Sequence, residues 1–217
     1  RNQLKKLNST SRKRVSGGLL DAFDKSLPFE LTAGQIAVCK EIESDLAQPH
    51  PMHRLLQGEV GSGKTIVALR AMLAVVDSGG QAALLAPTEV LAAQHLRTIQ
   101  RQLGELAQGG MLGGADIGTQ VTLITGSQTA QARREALAMA ADGTAGIVIG
   151  THALLGESVV FKDLGLIVVD EQHRFGVEQR DALKEKAVLP PHLLVMTATP
   201  IPRTVAMTVF GDLDVST

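Results

Sequence analysis

The residues Gly58-Glu59-Val60-Gly61-Ser62-Gly63-Lys64-Thr65 constrain the fold of this chain more than any other stretch. They fit the pattern G-x-x-x-x-G-K-[ST], in which a glycine-rich loop leads from a strand into a helix and surrounds a phosphate group. The glycines let backbone N–H groups approach the β-phosphate, and the helix adds the positive end of its dipole. Lys64 is expected to reach the β- and γ-phosphates, and the Thr65 hydroxyl to ligate Mg²⁺. The competing interpretation, a chance glycine-rich turn, is disfavoured by the predicted strand and helix on either side.

An acidic pair, Asp170-Glu171, follows the apolar run Leu166-Ile167-Val168-Val169. Open α/β sheets bind ligands at the carboxyl ends of their strands, so we expect this pair at the same edge as the phosphate loop. Asp170 is predicted to hold Mg²⁺ through water, and Glu171 to orient and deprotonate the attacking water. The two motifs in this order predict hydrolysis of ATP with Mg²⁺. His173 lacks a second His or Cys at ligand spacing, so it is interpreted as a polar link between nucleotide and neighbouring loops.

Short apolar, β-branched runs alternate with helical patterns along the chain, which predicts a parallel sheet covered by helices on both faces. The chain has 217 residues, 44% of them hydrophobic and 20% charged, enough for one α/β domain with a sizeable core. No apolar segment is long enough for a membrane helix, no signal-type stretch is seen, and Cys39 is the only cysteine, so a cytoplasmic location is the simplest interpretation. Helices are predicted at residues 33–46, 65–76, 90–106, 130–141, 177–187 and 204–210, and strands at 55–57, 82–86, 121–125, 147–149, 166–169 and 193–196.

Charge distribution suggests a boundary near residue 28. The net charge is −1, but the first twenty residues contain only basic charges: Arg1, Lys5, Lys6, Arg12, Lys13 and Arg14. Residues 1–27 are therefore predicted to be a basic arm or linker, and residues 28–217 the nucleotide-binding domain, with 211–217 forming a linker. The arm either touches nucleic-acid phosphates or is simply solvated.

Three short polar turns each follow a predicted strand, and they are candidates for contacts with nucleic acid. Small hydroxylated residues and free amides at helix starts can grip backbone phosphates. Plain helix capping is the alternative for all three. With five Phe and no Trp or Tyr, the chain has few platforms on which bases can stack, so backbone contacts are expected. The candidate DNA-binding residues are Pro87, Thr88, Thr125, Gly126, Ser127, Gly150, Thr151 and His152.

Two further stretches are assigned to nucleotide recognition and coupling. Gln35 offers a donor and an acceptor that suit the N6/N7 edge of adenine, although an exposed helical Gln is the simpler alternative. The stretch Thr197-Ala198-Thr199-Pro200-Ile201-Pro202-Arg203-Thr204 forms a stiff polar turn beside the acidic pair, which suits sensing of the γ-phosphate. Thr197, Thr199 and Arg203 are the coupling candidates, and a purely structural loop is the alternative.

Taken together, these stretches resemble the first RecA-like motor domain of superfamily-two DNA helicases, most specifically the RecG family. The resemblance covers residues 27–217, with the glycine-rich residues 109–118 as an apparent insertion. Mfd-type translocases share much of it, but Ser62 and Gln172 favour RecG. Glu59 departs from the Asp usual at that position, with little effect expected because the phosphate contacts are mostly backbone. The matching stretches are residues 55–65, 150–154, 170–180 and 196–204.

The resemblance implies an ATP-driven translocase on double-stranded DNA that remodels stalled forks and Holliday junctions in recombination and repair. It also implies two other parts of the protein: an N-terminal wedge domain that supplies branch specificity, and a second motor domain that supplies an arginine finger. An absent arginine finger can cost ~10³-fold or more in rate, so this chain alone is expected to hydrolyse ATP slowly. The alternatives are an Mfd-type domain and a module that binds ATP and DNA without turnover.

Overall fold

A seven-stranded parallel sheet, in the order β3-β4-β2-β5-β6-β1-β7, organises the chain. The computed structural model describes residues 11–13, 16–57, 63–107, 118–170, 177–197 and 214–216. The strands are β1 His53–Gln57, β2 Gln81–Leu85, β3 Gln120–Ile124, β4 Ala145–Gly150, β5 Leu164–Asp170, β6 His192–Thr197 and β7 Asp214–Ser216. The helices are α1 Leu19–Ser26, α2 Ala33–Leu46, α3 Lys64–Asp77, α4 Glu89–Leu103, α5 Ala130–Asp142 and α6 Val177–Lys184, with 3₁₀ turns at Gly104–Ala107 and His152–Leu155.

The core lies on both faces of the sheet, as predicted for an α/β fold. Successive side chains of a strand point to opposite faces, and the buried residues divide accordingly. On β2, Leu84 belongs to the buried cluster that includes residues of α1, α2, α3 and α4, whereas Leu85 belongs to the cluster that includes residues of α5 and α6. The strands β2, β4 and β6 are buried along their whole length, which explains their continuous apolar sequence.

Helix α1 differs from the linker expected over residues 1–27. Leu19, Leu20 and Phe23 are buried in the same cluster as α2 and α3. The Asp77 carboxylate, at the end of α3, accepts hydrogen bonds from the N–H groups of Leu19 and Leu20 at 2.7 and 3.1 Å. These bonds satisfy N–H groups in the first turn of α1, which have no partner inside the helix. Residues 19–26 are therefore packed against the domain rather than free of it.

Arg12 also departs from the expected solvated arm. Its side chain is 3% exposed, and its guanidinium makes two hydrogen bonds to the Asp163 carboxylate at 2.9 and 3.1 Å. Asp163 immediately precedes β5, so this pair lies at the amino end of the sheet. Arg12 is thereby held away from the carboxyl edge, where the predicted phosphate contacts lie.

The remaining differences concern the ends of elements. The predicted helix at 90–106 ends as an α-helix at Leu103 and continues as a 3₁₀ turn. Residues 214–216, expected in a linker, form β7 and pair with β1. The predicted helix at 204–210 lies outside the described residues. Within the described ranges, no helix combines the length and apolar character that a membrane crossing would require.

Candidate functional site

Those predicted site residues that the structure describes lie at the carboxyl edge of the sheet. The phosphate loop follows β1, Thr197 ends β6, and Asp170 ends β5. These strands are neighbours in the order β5-β6-β1, with Thr197 beside Gln57 and Asp170 beside Met196. Adjacent strands are ~4.8 Å apart, so the phosphate loop and Asp170 begin about 10 Å from each other. Thr197 is 5% exposed and lies on the strand between them, where a coupling residue was predicted.

Gly63 forms the turn from the phosphate loop into α3. Its φ is 80° and its ψ is 21°, a left-handed conformation that favours glycine. A Cβ placed on Gly63 would lie 2.0 Å from Nε2 of Gln35, so any larger residue there would displace the Gln35 amide. Residues Gly58, Glu59, Val60, Gly61 and Ser62 lie outside the described residues.

Gln35 is held beside this turn by the start of α2. The Thr32 hydroxyl accepts from the Gln35 N–H at 3.1 Å, and the Gln35 Oε1 accepts from the Thr32 N–H at 2.9 Å. The two bonds form a capping box. They also place the Gln35 amide next to the phosphate loop, with its oxygen engaged by the backbone.

Lys64 and Asp170 influence each other across the strand that separates them. Burial lowers the pKa of Lys64, and the attraction of Asp170 opposes that shift. Lys64 and Thr65 are the first two residues of α3, and both are partly buried. Hydroxyl and carboxylate oxygens are ligands that Mg²⁺ accepts, and Mg²⁺ bound with a nucleotide usually takes one or two protein ligands plus phosphates and water. The Thr65 hydroxyl and Asp170 carboxylate fit that donor set. Among the described residues, no group of three or more His, Cys, Asp or Glu is arranged to hold a metal.

His95 is a site residue that the sequence reasoning missed. Its Nε2 lies 2.6 Å from Oδ2 of Asp170, with the two side chains 14% and 17% exposed. Helix α4 carries it there, because α4 starts just after β2 and β2 pairs with β5. The sequence holds one sign of this role: His95 is a polar residue on the same face of α4 as the buried Ala92, Ile99 and Leu103.

The three candidate DNA turns lie at the ends of β2, β3 and β4, which form the other half of the same edge. The hydroxyls of Thr88 and Thr151 accept backbone N–H groups at the starts of α4 and a 3₁₀ turn, as the capping alternative describes. Thr125, Gly150 and Thr151 are buried, whereas Thr88, Gly126, Ser127 and His152 are exposed and Pro87 is partly buried. The exposed members are the ones accessible to a ligand.

Two of these turns are joined by Glu89. Its Oε1 accepts from the Ser127 N–H at 3.1 Å, and its Oε2 from the Ser127 hydroxyl at 2.6 Å. The Ser127 N–H and hydroxyl thus both donate to one carboxylate. The oxygens of a phosphate group could accept hydrogen bonds from the same two donors. The candidates Glu171, His173, Thr199 and Arg203 lie outside the described residues.

Comparison with known proteins is consistent with this arrangement. Residues 32–208 match the family model "DEAD/DEAH box helicase". The "ATP-dependent DNA helicase RecG" of Mycobacterium tuberculosis (strain H37Rv) is 64% identical over 204 residues, covering 93% of this chain and 28% of that protein. The RecG of Streptococcus pneumoniae is 48% identical over 221 residues, covering 99% of this chain and 31% of that protein. The predicted resemblance to the RecG family is thereby confirmed, for a chain that spans less than a third of its relatives' length.

Solved structures show the same fold. The structure of RecG bound to a three-way DNA junction superposes with a TM-score of 0.79 at 38% identity, covering 99% of this chain and 27% of that one. Dbp5 of S. cerevisiae bound to RNA and ADP BeF3 superposes with a TM-score of 0.62 at 18% identity, covering 92% and 49%, a likeness of fold alone. The predicted RecA-like fold with a parallel sheet is confirmed. From these matches, and from the family model that covers residues 32–208, the chain belongs to the DEAD/DEAH box helicase family.

Proposed function

We propose that this chain is the ATP-binding motor domain of a DNA helicase that moves along double-stranded DNA and remodels branched DNA, such as stalled forks and Holliday junctions. The main support for this proposal is the arrangement of residues at the carboxyl edge of the sheet. Asp170 ends β5, and Lys64 begins α3 beyond the end of β1, on the other side of β6; the two side chains attract each other. The RecG relatives, one of them bound to a three-way junction, support branched DNA as the substrate class.

Within this proposal each residue has a separate task. Lys64 and the loop amides bind the β- and γ-phosphates, and Thr65 and Asp170 hold Mg²⁺, Asp170 through water. Mg²⁺, when bound, neutralises charge on the phosphate oxygens. Glu171 orients the attacking water and accepts its proton, and Gln35 contacts adenine through its amide nitrogen. Thr197, together with His173, Thr199 and Arg203, transmits the state of the γ-phosphate to neighbouring loops.

The DNA backbone is assigned to the other half of the edge. Exposed Thr88, Gly126, Ser127 and His152 supply side-chain or amide contacts, while buried Thr125, Gly150 and Thr151 shape the turns that present them. Gly150 is needed for the shape of its turn, because a Cβ there would lie 2.3 Å from the Ile124 carbonyl oxygen. The few aromatic residues suit a motor that follows phosphates rather than stacking on bases.

The remaining domain assignment is also part of the proposal. The first motor domain extends to residue 217 and includes α1, so it starts before the expected boundary at residue 28, and the wedge and second motor domains are supplied by other parts of the whole protein. Since the arginine finger is expected from the second motor domain, this chain alone should turn ATP over ~10³-fold or more below the rate of the full-length protein.

Substitution of Lys64 tests the phosphate-loop assignment. In the full-length protein, Lys64→Ala should abolish DNA-stimulated ATP hydrolysis, measured as phosphate release with forked DNA. Glu171→Gln should bind MgATP with near-normal affinity and not hydrolyse it. Near-normal turnover by Lys64→Ala would contradict the phosphate-loop assignment, and loss of nucleotide binding in Glu171→Gln would contradict the role given to Glu171.

A further inference from the structure

Helix α4 carries one polar ring on its buried face. Ala92, Ile99 and Leu103 are at most 2% exposed and pack against the sheet. His95 follows Ala92 by three residues and precedes Ile99 by four, so it lies on the same face. A ring nitrogen in this position costs free energy unless it is hydrogen-bonded. The position calls for a specific partner.

That partner is the carboxylate of Asp170, 75 residues further along the chain, at 2.6 Å. A carboxylate that serves Mg²⁺ is ionised and can only accept a hydrogen bond, so Nε2 of His95 carries the hydrogen. Hydrogen bonds to an ionised acceptor are short and roughly twice as strong as neutral ones. With both side chains largely shielded from water, this bond is stronger than one on the surface.

The bond has a consequence for the orientation of Asp170. The χ2 angle of Asp, which sets the orientation of the carboxylate, has a broad and roughly two-fold distribution. Packing alone therefore fixes this orientation poorly. A donor fixed on a helix removes that freedom by engaging one oxygen, Oδ2, while no hydrogen bond from the described residues engages Oδ1. Helix α4 is itself fixed, because its start follows β2, and β2 pairs with β5 directly beside Asp170.

We propose that His95 is a positioning residue for the nucleotide site: it holds Oδ2 of Asp170 so that the carboxylate is already oriented for Mg²⁺ when nucleotide binds. The inference rests on the proposed function, since it assumes that Asp170 serves Mg²⁺. Groups that orient a metal-binding side chain typically contribute 10- to 100-fold to metal affinity or activity. His95 touches neither nucleotide nor metal in this role.

The test compares three variants of the full-length protein: His95→Ala, His95→Gln and, as a control, His50→Ala in the loop before β1. The Nε2 of Gln lies the same number of bonds from Cβ as the Nε2 of His, so His95→Gln keeps a donor at similar reach. Binding of a fluorescent ATP analogue is measured as a function of Mg²⁺ concentration, and also without Mg²⁺. Circular dichroism checks that each variant is folded.

We expect His95→Ala to raise the Mg²⁺ concentration for half-maximal nucleotide binding about tenfold or more, with little change in Mg²⁺-free binding. His95→Gln should fall within about threefold of the wild type, and His50→Ala should match it. Unchanged Mg²⁺ dependence in folded His95→Ala, or failure of His95→Gln to restore it, would overturn the role of His95 while leaving the proposed function intact. If the wild-type protein bound no MgATP, the proposed function itself would fall.

Discussion

At the scale of single residues, Gly63 is the position where the backbone leaves no alternative. An alanine there would meet two separate costs. The left-handed φ of 80° disfavours a side chain by about 1 kcal/mol, and the new Cβ would lie 2.0 Å from Nε2 of Gln35. Relief of that overlap requires Gln35 to move, which breaks the capping box of α2. We therefore expect Gly63→Ala to weaken MgATP binding about tenfold or more, because a helix start that binds phosphate is displaced.

The matched control is Gly79, in the turn between α3 and β2. Its φ of 89° imposes the same backbone strain, but a Cβ placed there would meet nothing within 4 Å. Gly79→Ala should lose about 1 kcal/mol of stability and bind MgATP normally, as measured by urea unfolding and nucleotide titration. Equal nucleotide affinity in the two variants would show that the contact with Gln35 does not position the phosphate loop.

At the scale of elements, α1 belongs to the domain although its sequence was assigned to an arm. Phe23 is fully buried, and the guanidinium of Arg70 on α3 makes two hydrogen bonds to Asp24 at 2.8 and 2.9 Å. Phe23→Ala should cost about 3–5 kcal/mol of unfolding free energy in the 217-residue chain, measured by urea denaturation. The control Phe29→Ala removes a ring that is 51% exposed and should cost under about 1 kcal/mol. Similar small losses in both would mean that α1 is a peripheral attachment.

The elements that could be predicted from sequence are those whose pattern of residues lies within the element itself. The strands β4, β5 and β6 contain buried runs of Leu, Ile and Val, and each extends one or two residues beyond the prediction at each end, because flanking residues such as Ala145, Leu164 and His192 join the ladder. The phosphate loop and Asp170 could be proposed from sequence, since each motif is local, and their roles remain predictions. Helix α1 and the His95–Asp170 contact were missed, because they depend on Asp77 and Asp170, residues 57 and 75 positions away.

At the scale of the whole molecule, the proposed function divides the carboxyl edge between nucleotide binding and DNA binding. Strands β5, β6 and β1 present Asp170, Thr197 and the phosphate loop, while β3, β4 and β2 present the turns assigned to DNA. Helix α4 belongs to both halves, because its first residue, Glu89, contacts Ser127, and His95, six residues later, contacts Asp170. The DNA half therefore already holds a negative charge at a place where we propose that a phosphate binds.

Glu89 reaches from the end of β2, across β4, to the turn after β3, and it occupies both donors of Ser127. A DNA phosphate that used the same donors would have to displace this carboxylate and bind beside its charge. Two unit charges 4 Å apart in water repel by about 1 kcal/mol, or roughly fivefold in affinity. Glu89→Gln in the full-length protein should therefore tighten binding of forked DNA about three- to tenfold at low salt, measured by fluorescence anisotropy. The gain should shrink as salt rises, since the repulsion is screened.

Glu105→Gln, beyond the far end of α4 and more than about 20 Å away, removes the same charge and should change DNA affinity little. Weaker binding by Glu89→Gln would instead identify Glu89 as a brace that keeps the Ser127 turn in its DNA-binding shape.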